Sequence, residues 1–377
     1  MPDVHSKLPP SSAERYIHCP PSIKLGEEYG PPDTSSEYTR EGTDAHTLCE
    51  FLLKEAIGEA AEDPREGLSY YDQEMEEAAQ GYRDTVMELY DSLKRECPDP
   101  FLAVEQRVRF EEYVPGGFGT SDAILIGAGK MYVVDFKYGR GVEVSAKDNA
   151  QLKCYALGAY LAFGDLYDIS DVTLVIYQPR IGNYSTWEFP VSDLLAWAKD
   201  VLKPAAELAA VGAGEFSCGS WCRFCKAKAV CRKRAEENLS LARYDFARPE
   251  TLEEDEINII LSKVDSLVSW AEDIKTYALE EAIKGRVWDD WKVVEGRSVR
   301  KYSDEAAAAA KAIAAGIDPY EKKLIPITGL EKLMGKKKFN ELLGPLIVKP
   351  AGKPTLVPRS DKRQELSNAI SDFKEEN

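Results

Sequence analysis

The sequence predicts an α/β protein, a mixed sheet flanked by helices, followed by a helix-rich C-terminal region. Three observations carry that prediction. Two hydrophobic runs, Ala123–Ile126 and Met131–Val134, are joined by Gly127-Ala128-Gly129-Lys130, a tight-turn composition that folds them into a β-hairpin. The periodicity around this hairpin gives the order helix, three strands, helix, strand, which is the signature of a mixed core. From residue 241 the texture becomes helical, through EEDEINIILSKVDSLVSWAEDIKTYALEEAIKG and an alanine-heavy stretch at 303–315. The expected domains are therefore 1–240 and 241–377.

Taken in order, a Ser-Ser cap precedes AERYIHCPPSIKL, and a loop rich in Pro, Ser and Gly leads to EGTDAHTLCEFLLKEAIG. The latter reads as a helix with Leu48, Phe51, Leu52 and Ile57 on one side, and His46 and Glu50 sharing a face. Residues 72–96 form an acidic amphipathic helix. FLAVEQRVRF at 101–110 alternates as a strand and the hairpin follows. SAKDNAQLKCYALGAYLAFG is a helix that projects Gln151 and Tyr155 together, four residues apart. DVTLVIYQPR is a buried strand, YSTWEFP an edge strand, and SDLLAWAKDVLKPAAELAAVG one long helix capped by Ser192.

With 377 residues and a net charge of −17, the chain has a substantial core and no general phosphate-binding coat. It has neither an apolar run of membrane-spanning length nor a signal-peptide pattern at its start, so a cytosolic, non-membrane protein is expected. The main basic concentration is the segment 322–363, which includes Lys336, Lys337 and Lys338. It is either a solubilising tail or a contact for nucleic acid or a partner.

The chemistry starts from two aspartates in hydrophobic strands. Asp122 opens the first hairpin run and Asp135 closes the second, so antiparallel pairing makes them neighbours, with Lys137 on the same face as Asp135. Unpaired buried carboxylates cost several kcal/mol. A Mg²⁺ or Mn²⁺ ion between them answers that cost; a structural ion-pair cluster is the plainer alternative. D-x-K recurs at Asp273-Ile-Lys275 and Asp290-Trp-Lys292, so strand context distinguishes Asp135-Phe-Lys137 rather than the motif alone.

In chain order, EGTDAHTLCE, Gly119-Thr-Ser-Asp122, Asp135-Phe-Lys137 and Gln151-Leu-Lys-Cys-Tyr155 resemble the PD-(D/E)XK nuclease superfamily, and within it the RecB-type nucleases. The resemblance covers most of residues 11–235 and implies a restriction-endonuclease-like core. It implies that His46, Asp122, Asp135 and the Phe136 carbonyl hold the catalytic Mg²⁺ or Mn²⁺, that Lys137 orients or activates water, and that Gln151 and Tyr155 position the DNA backbone. His46 as a plain helix residue and Tyr155 as a packing residue remain open.

Four of the eight cysteines fall in SCGSWCRFCKAKAVC. The chain is similar here to AddB-like and CRISPR-adaptation nucleases, which implies a [4Fe-4S] cluster on Cys19, Cys222, Cys225 and Cys231. Cys218 is an extra candidate, and a local Zn²⁺ site on Cys218, Cys222, Cys225 and Cys231 is the rival. Overall the chain looks most like a phage-associated branch of the superfamily. That implies a DNA exonuclease for recombination or repair, in a bacterial host cell, with a single-strand annealing protein and a second copy of the chain as candidate partners. A non-catalytic DNA-binding scaffold and a structure-specific endonuclease are the competing functions.

Overall fold

The computed structural model describes residues 6–30, 37–241, 252–294, 303–315, 318–320 and 325–348. The chain divides into two compact units, Met1–Val293 and Val294–Asn377.

The first unit opens with helices α1 (Ala13–His18), α2 (Ser22–Tyr29), α3 (Glu37–Ala56) and α4 (Gln73–Glu96). Strands β1 (Phe101–Arg109), β2 (Phe118–Gly127) and β3 (Lys130–Phe136) follow, then α5 (Ala150–Phe163), β4 (Asp171–Gln178) and β5 (Asn183–Pro190). The sheet runs β1-β2-β3-β4-β5. All its pairs are antiparallel except β3 with β4, which are parallel. Helix α5 makes the crossover that a parallel pair requires. The mixed α/β architecture is therefore the one expected.

Side-chain alternation divides the core in two. Ala123, Leu125, Val134, Phe136 and Val175 face α3 and α4. Ile124, Ile126, Met131, Val133, Leu174 and Ile176 face α5 and the helices beyond it. The expected hairpin is present: Gly127 pairs with Lys130 across Ala128 and Gly129. Both turn residues have positive φ, 50° and 78°, as a two-residue type I′ turn demands.

Three local expectations are corrected. Helix α3 ends at Ala56, and Leu53 rather than Ile57 completes its buried stripe. The long helix after β5 is broken into α6 (Val191–Trp197), a π-helical turn at Ala198–Leu202, and α7 (Lys203–Val211). Pro204 accounts for the break, because it lacks an N–H and its ring crowds the carbonyl one turn earlier. Ser192 is not the cap; the helix begins a residue before it, with Pro190 in that position.

The first unit continues through α8 (Arg232–Leu239) and α9 (Glu254–Ile283), past the expected boundary at 240. The anchor is Asp273, which lies 2.7 Å from Lys228 Nζ and 2.5 Å from Arg234 Nη1. Arg234 is only 6% exposed, so losing Asp273 would leave a buried guanidinium unpaired, at a cost of roughly 3–5 kcal/mol. A chain ended at 240 is therefore expected to melt well below one ended at 293; equal melting temperatures would remove α9 from the stability of this unit.

The second unit contains α10 (Glu305–Ala314), α11 (Ile327–Met334) and α12 (Lys336–Leu343), with Phe339 buried. Lys337 and Lys338 are exposed on α12. Of the basic segment 322–363, residues 322–324 and 349–363 lie outside the described residues, as does the side chain of Lys336.

Candidate metal centre and cysteine recess

The ladder between β2 and β3 stops at the Ala123–Val134 pair, and one step further the same register brings Asp122 to Asp135. There a side chain replaces the backbone acceptor: Asp122 Oδ2 accepts from the Phe136 N–H at 2.7 Å. Its other oxygen, Oδ1, lies 3.4 Å from His46 Nδ1 on α3. Asp135 is 3% exposed and has the Lys137 ammonium 2.8 Å from its Oδ2. Lys137 Nζ also donates to Gln151 Oε1 at 3.3 Å, and Gln151 Nε2 donates to the Tyr155 hydroxyl at 3.1 Å. The six polar residues singled out in the sequence thus form one connected centre at the end of the sheet. Glu50, which shares a face with His46, turns instead to Lys54 at 2.6 Å.

Sequence reasoning missed Glu105. The ligand atoms of His46, Glu105 and Asp122 all lie within 4.8 Å of one another. Glu105 sits on β1 between residues that pair with the two neighbours of Asp122, and its φ of 49° is unusual in a strand. Only the β1–β2 register could have pointed to it, and strand alternation alone does not supply that register.

The electrostatics reflect crowded carboxylates. Burial, reinforced by Asp122, pushes the Glu105 carboxyl up to about 7 despite the opposing pull of His46. Burial pulls His46 down, but Asp122 outweighs it and holds the imidazole at about 9. Asp122 is pushed up by burial, yet His46, the Phe136 N–H and Lys137 together keep it below the usual carboxylate range. Asp135 is raised, chiefly by burial. Lys137 stays above its ordinary value because Asp135 overcomes the desolvation of the ammonium. Carboxylates and an imidazole gathered this closely are a donor set suited to a hard or borderline divalent cation.

Gly119 explains how α5 comes so near. A Cβ there would stand 2.7 Å from Pro10 Cγ and 2.8 Å from Tyr155 Cε1, and both rings are rigid. Gly119→Ala is expected to cost about 1–3 kcal/mol and to displace Tyr155 from Gln151. An unchanged melting temperature would show that the Tyr155 ring can give way.

The second centre is a small recess lined in part by Cys19, Cys222, Cys225 and Cys231, the four cysteines singled out together from the sequence. Arg15, Lys228 and Arg234 share its wall, so cations accompany the sulfurs. Burial raises the Cys19 thiol, while the neighbouring backbone N–H groups of Ser217 and Ser22 draw it back. Cys225 is likewise raised by burial and accepts from the Ala227 N–H. Cys218 is hydrogen-bonded to Cys222 and does not line the recess.

A family profile described as "Protein of unknown function (DUF2800)" matches residues 5–364. The chain belongs to that family. The DUF2800 match spans both compact units. A solved structure titled "Crystal structure of SSO0001" is 17% identical, with 51% of this chain and 98% of that chain covered and a TM-score of 0.23, a likeness too slight to bear on the fold. Among the described residues of this DUF2800 protein, no helix is long and apolar enough to cross a membrane.

Proposed function

We propose that the chain is a divalent-metal-dependent deoxyribonuclease of the PD-(D/E)XK, RecB-like type, acting on DNA ends in recombination or repair. The observation that carries the reading is the convergence of Asp122, Asp135 and Lys137 with His46 on one side and the Gln151–Tyr155 relay on the other. A structural ion-pair cluster accounts less well for Glu105, a third carboxylate drawn toward Asp122 where it raises the cost of both.

His46, Glu105, Asp122 and Asp135 are the residues that would hold Mg²⁺ or Mn²⁺. When bound, the ion supplies Lewis-acid polarisation of the phosphodiester and an acidified water. Lys137, held charged by Asp135, acts as a donor to a phosphate oxygen or to water and not as a base. Gln151 keeps the ammonium aimed, and Tyr155 keeps Gln151 in place. Exposed Lys337 and Lys338 in the second unit suit contact with the DNA backbone.

For the recess, the donor set suits a structural [4Fe-4S] cluster on Cys19, Cys222, Cys225 and Cys231. A tetrahedral zinc site brings thiolates to about 3.8 Å of one another.

The deciding experiment incubates purified protein with linear and circular DNA, with Mg²⁺, with Mn²⁺ and with EDTA. Metal-dependent degradation of linear DNA is the expected result. Cleavage of circular DNA at equal rate would favour an endonuclease, and no cleavage in either metal would overturn the reading.

A further inference from the structure

Beside the candidate metal centre, two arginines converge on one carboxylate. Arg140 Nη2 lies 2.5 Å from Glu74 Oε2, and Arg180 Nη2 lies 3.6 Å from the same oxygen. Arg180 Nη1 is also paired with Glu41 at 2.9 Å. Two guanidinium groups that can reach a single oxygen are the arrangement that clamps a phosphate, and a carboxylate occupies that place in this structure. We propose that Arg140 and Arg180 bind a non-scissile DNA backbone phosphate, with Glu74 standing in for that phosphate in the free protein.

The position of the pair supports this. Arg180 follows β4 at the same sheet end as Asp135, since Asp135 pairs with Ile176 and Phe136 with Tyr177. A chain of ring contacts leads there from the metal centre. His46 meets Phe136 at 5.4 Å, Phe136 meets Tyr138 at 6.0 Å, and Arg180 lies over Tyr138 at 4.4 Å. Glu41 is on the helix that carries His46, about 7.5 Å earlier along its axis at 1.5 Å per residue. The clamp is therefore linked to the candidate centre through Phe136 and Tyr138 and through the helix that carries both Glu41 and His46.

Both arginines are also pre-positioned. Gln178, which is 2% exposed, donates to the carbonyls of Gly139 and Val142 at 2.8 Å each and accepts from the Val144 N–H at 3.1 Å. The loop that bears Arg140 is thereby fastened to the end of β4. Arg180 lies over the Tyr138 ring, and its buried Nε has no hydrogen-bond partner among the described residues, leaving a donor unused. Arg180 is only 12% exposed, and a purely structural ion pair would be expected to satisfy that donor.

The proposal rests on the nuclease reading, and its test requires no catalysis. Binding of a short fluorescein-labelled single-stranded oligodeoxynucleotide to the full chain is measured in EDTA by anisotropy over a salt series. Arg140→Gln and Arg180→Gln are each expected to weaken binding about tenfold and to flatten the salt slope by about one unit. Glu74→Gln, which removes the competing anion, is expected to tighten binding at least severalfold. Arg140 is well exposed, at 57%, and Glu74 half-buried, at 36%, so these two variants do not depend on a fully buried contact for folding. Unchanged affinity in Arg140→Gln, or weaker binding in Glu74→Gln, would overturn the clamp. If wild-type protein cleaves DNA while these variants bind as it does, the clamp fails and the nuclease reading stands. Protein that neither binds nor cleaves overturns both.

Discussion

Asp122→Asn is expected to eliminate DNA cleavage, by at least about 10³-fold or roughly 4 kcal/mol of barrier, while the fold survives. The asparagine Oδ1 can still accept from the Phe136 N–H, so the link across the end of β2 and β3 is retained. The charge that faces His46 and would bind the cation is lost. Asp135→Asn and Lys137→Ala should be about as damaging, and a double variant little worse than either single one, because the three act as a unit. Single-turnover cleavage with a thermal melt checks this. A second readout is independent of turnover. Asp122 holds His46 at about 9, so in metal-free Asp122→Asn protein the imidazole titration followed by NMR should fall substantially. Near-normal turnover in any of the three would remove that residue from the chemistry.

Cys19→Ser is expected to have the second large effect. If the recess holds a [4Fe-4S] cluster, anaerobically purified wild-type protein is brown, with about four irons per chain, and the variant is colourless and iron-poor. The variant should also melt at lower temperature, since it loses a cluster that adds to the modest links between α1 and the segment 217–224, among them Arg15 to the Phe224 carbonyl at 2.7 Å, Ser217 to the His18 carbonyl at 2.5 Å, and the stacked His18 and Trp221 rings. Stoichiometric zinc that persists in Cys19→Ser would establish the local four-cysteine site instead.

The elements legible in the sequence were those set by short-range chemistry. The type I′ turn, the alternation of β2 and β3, and the i, i+4 pairing of Gln151 with Tyr155 follow from neighbours a few residues apart. Asp122, Asp135 and Lys137 stand out because charge in an apolar run requires compensation, whereas the role of His46 comes from the resemblance to the RecB-type nucleases. What escaped depended on tertiary register. Glu105 lies in an ordinary alternating strand and becomes notable only opposite Asp122. Asp273 looks like any charged residue of an exposed helix, although it neutralises the buried Arg234 and thereby moves the end of the first unit past 240. Arg140 and Arg180 are 40 positions apart, and nothing local relates them.

The cysteine recess has a consequence for the order of synthesis. Arg15 and Phe224, which meet at its edge, are 209 residues apart in the chain. The central hairpin can pair as soon as both strands have left the ribosome, because closing a two-residue turn sacrifices little entropy. Joining Cys19 to Cys222, Cys225 and Cys231 must wait until the whole sheet and α7 have been made, and it closes a very long loop. Throughout translation Cys19 remains an unprotected thiol. Any metal centre that uses all four cysteines is therefore a late event, and its insertion marks a chain in which α1 has met the segment that follows the sheet.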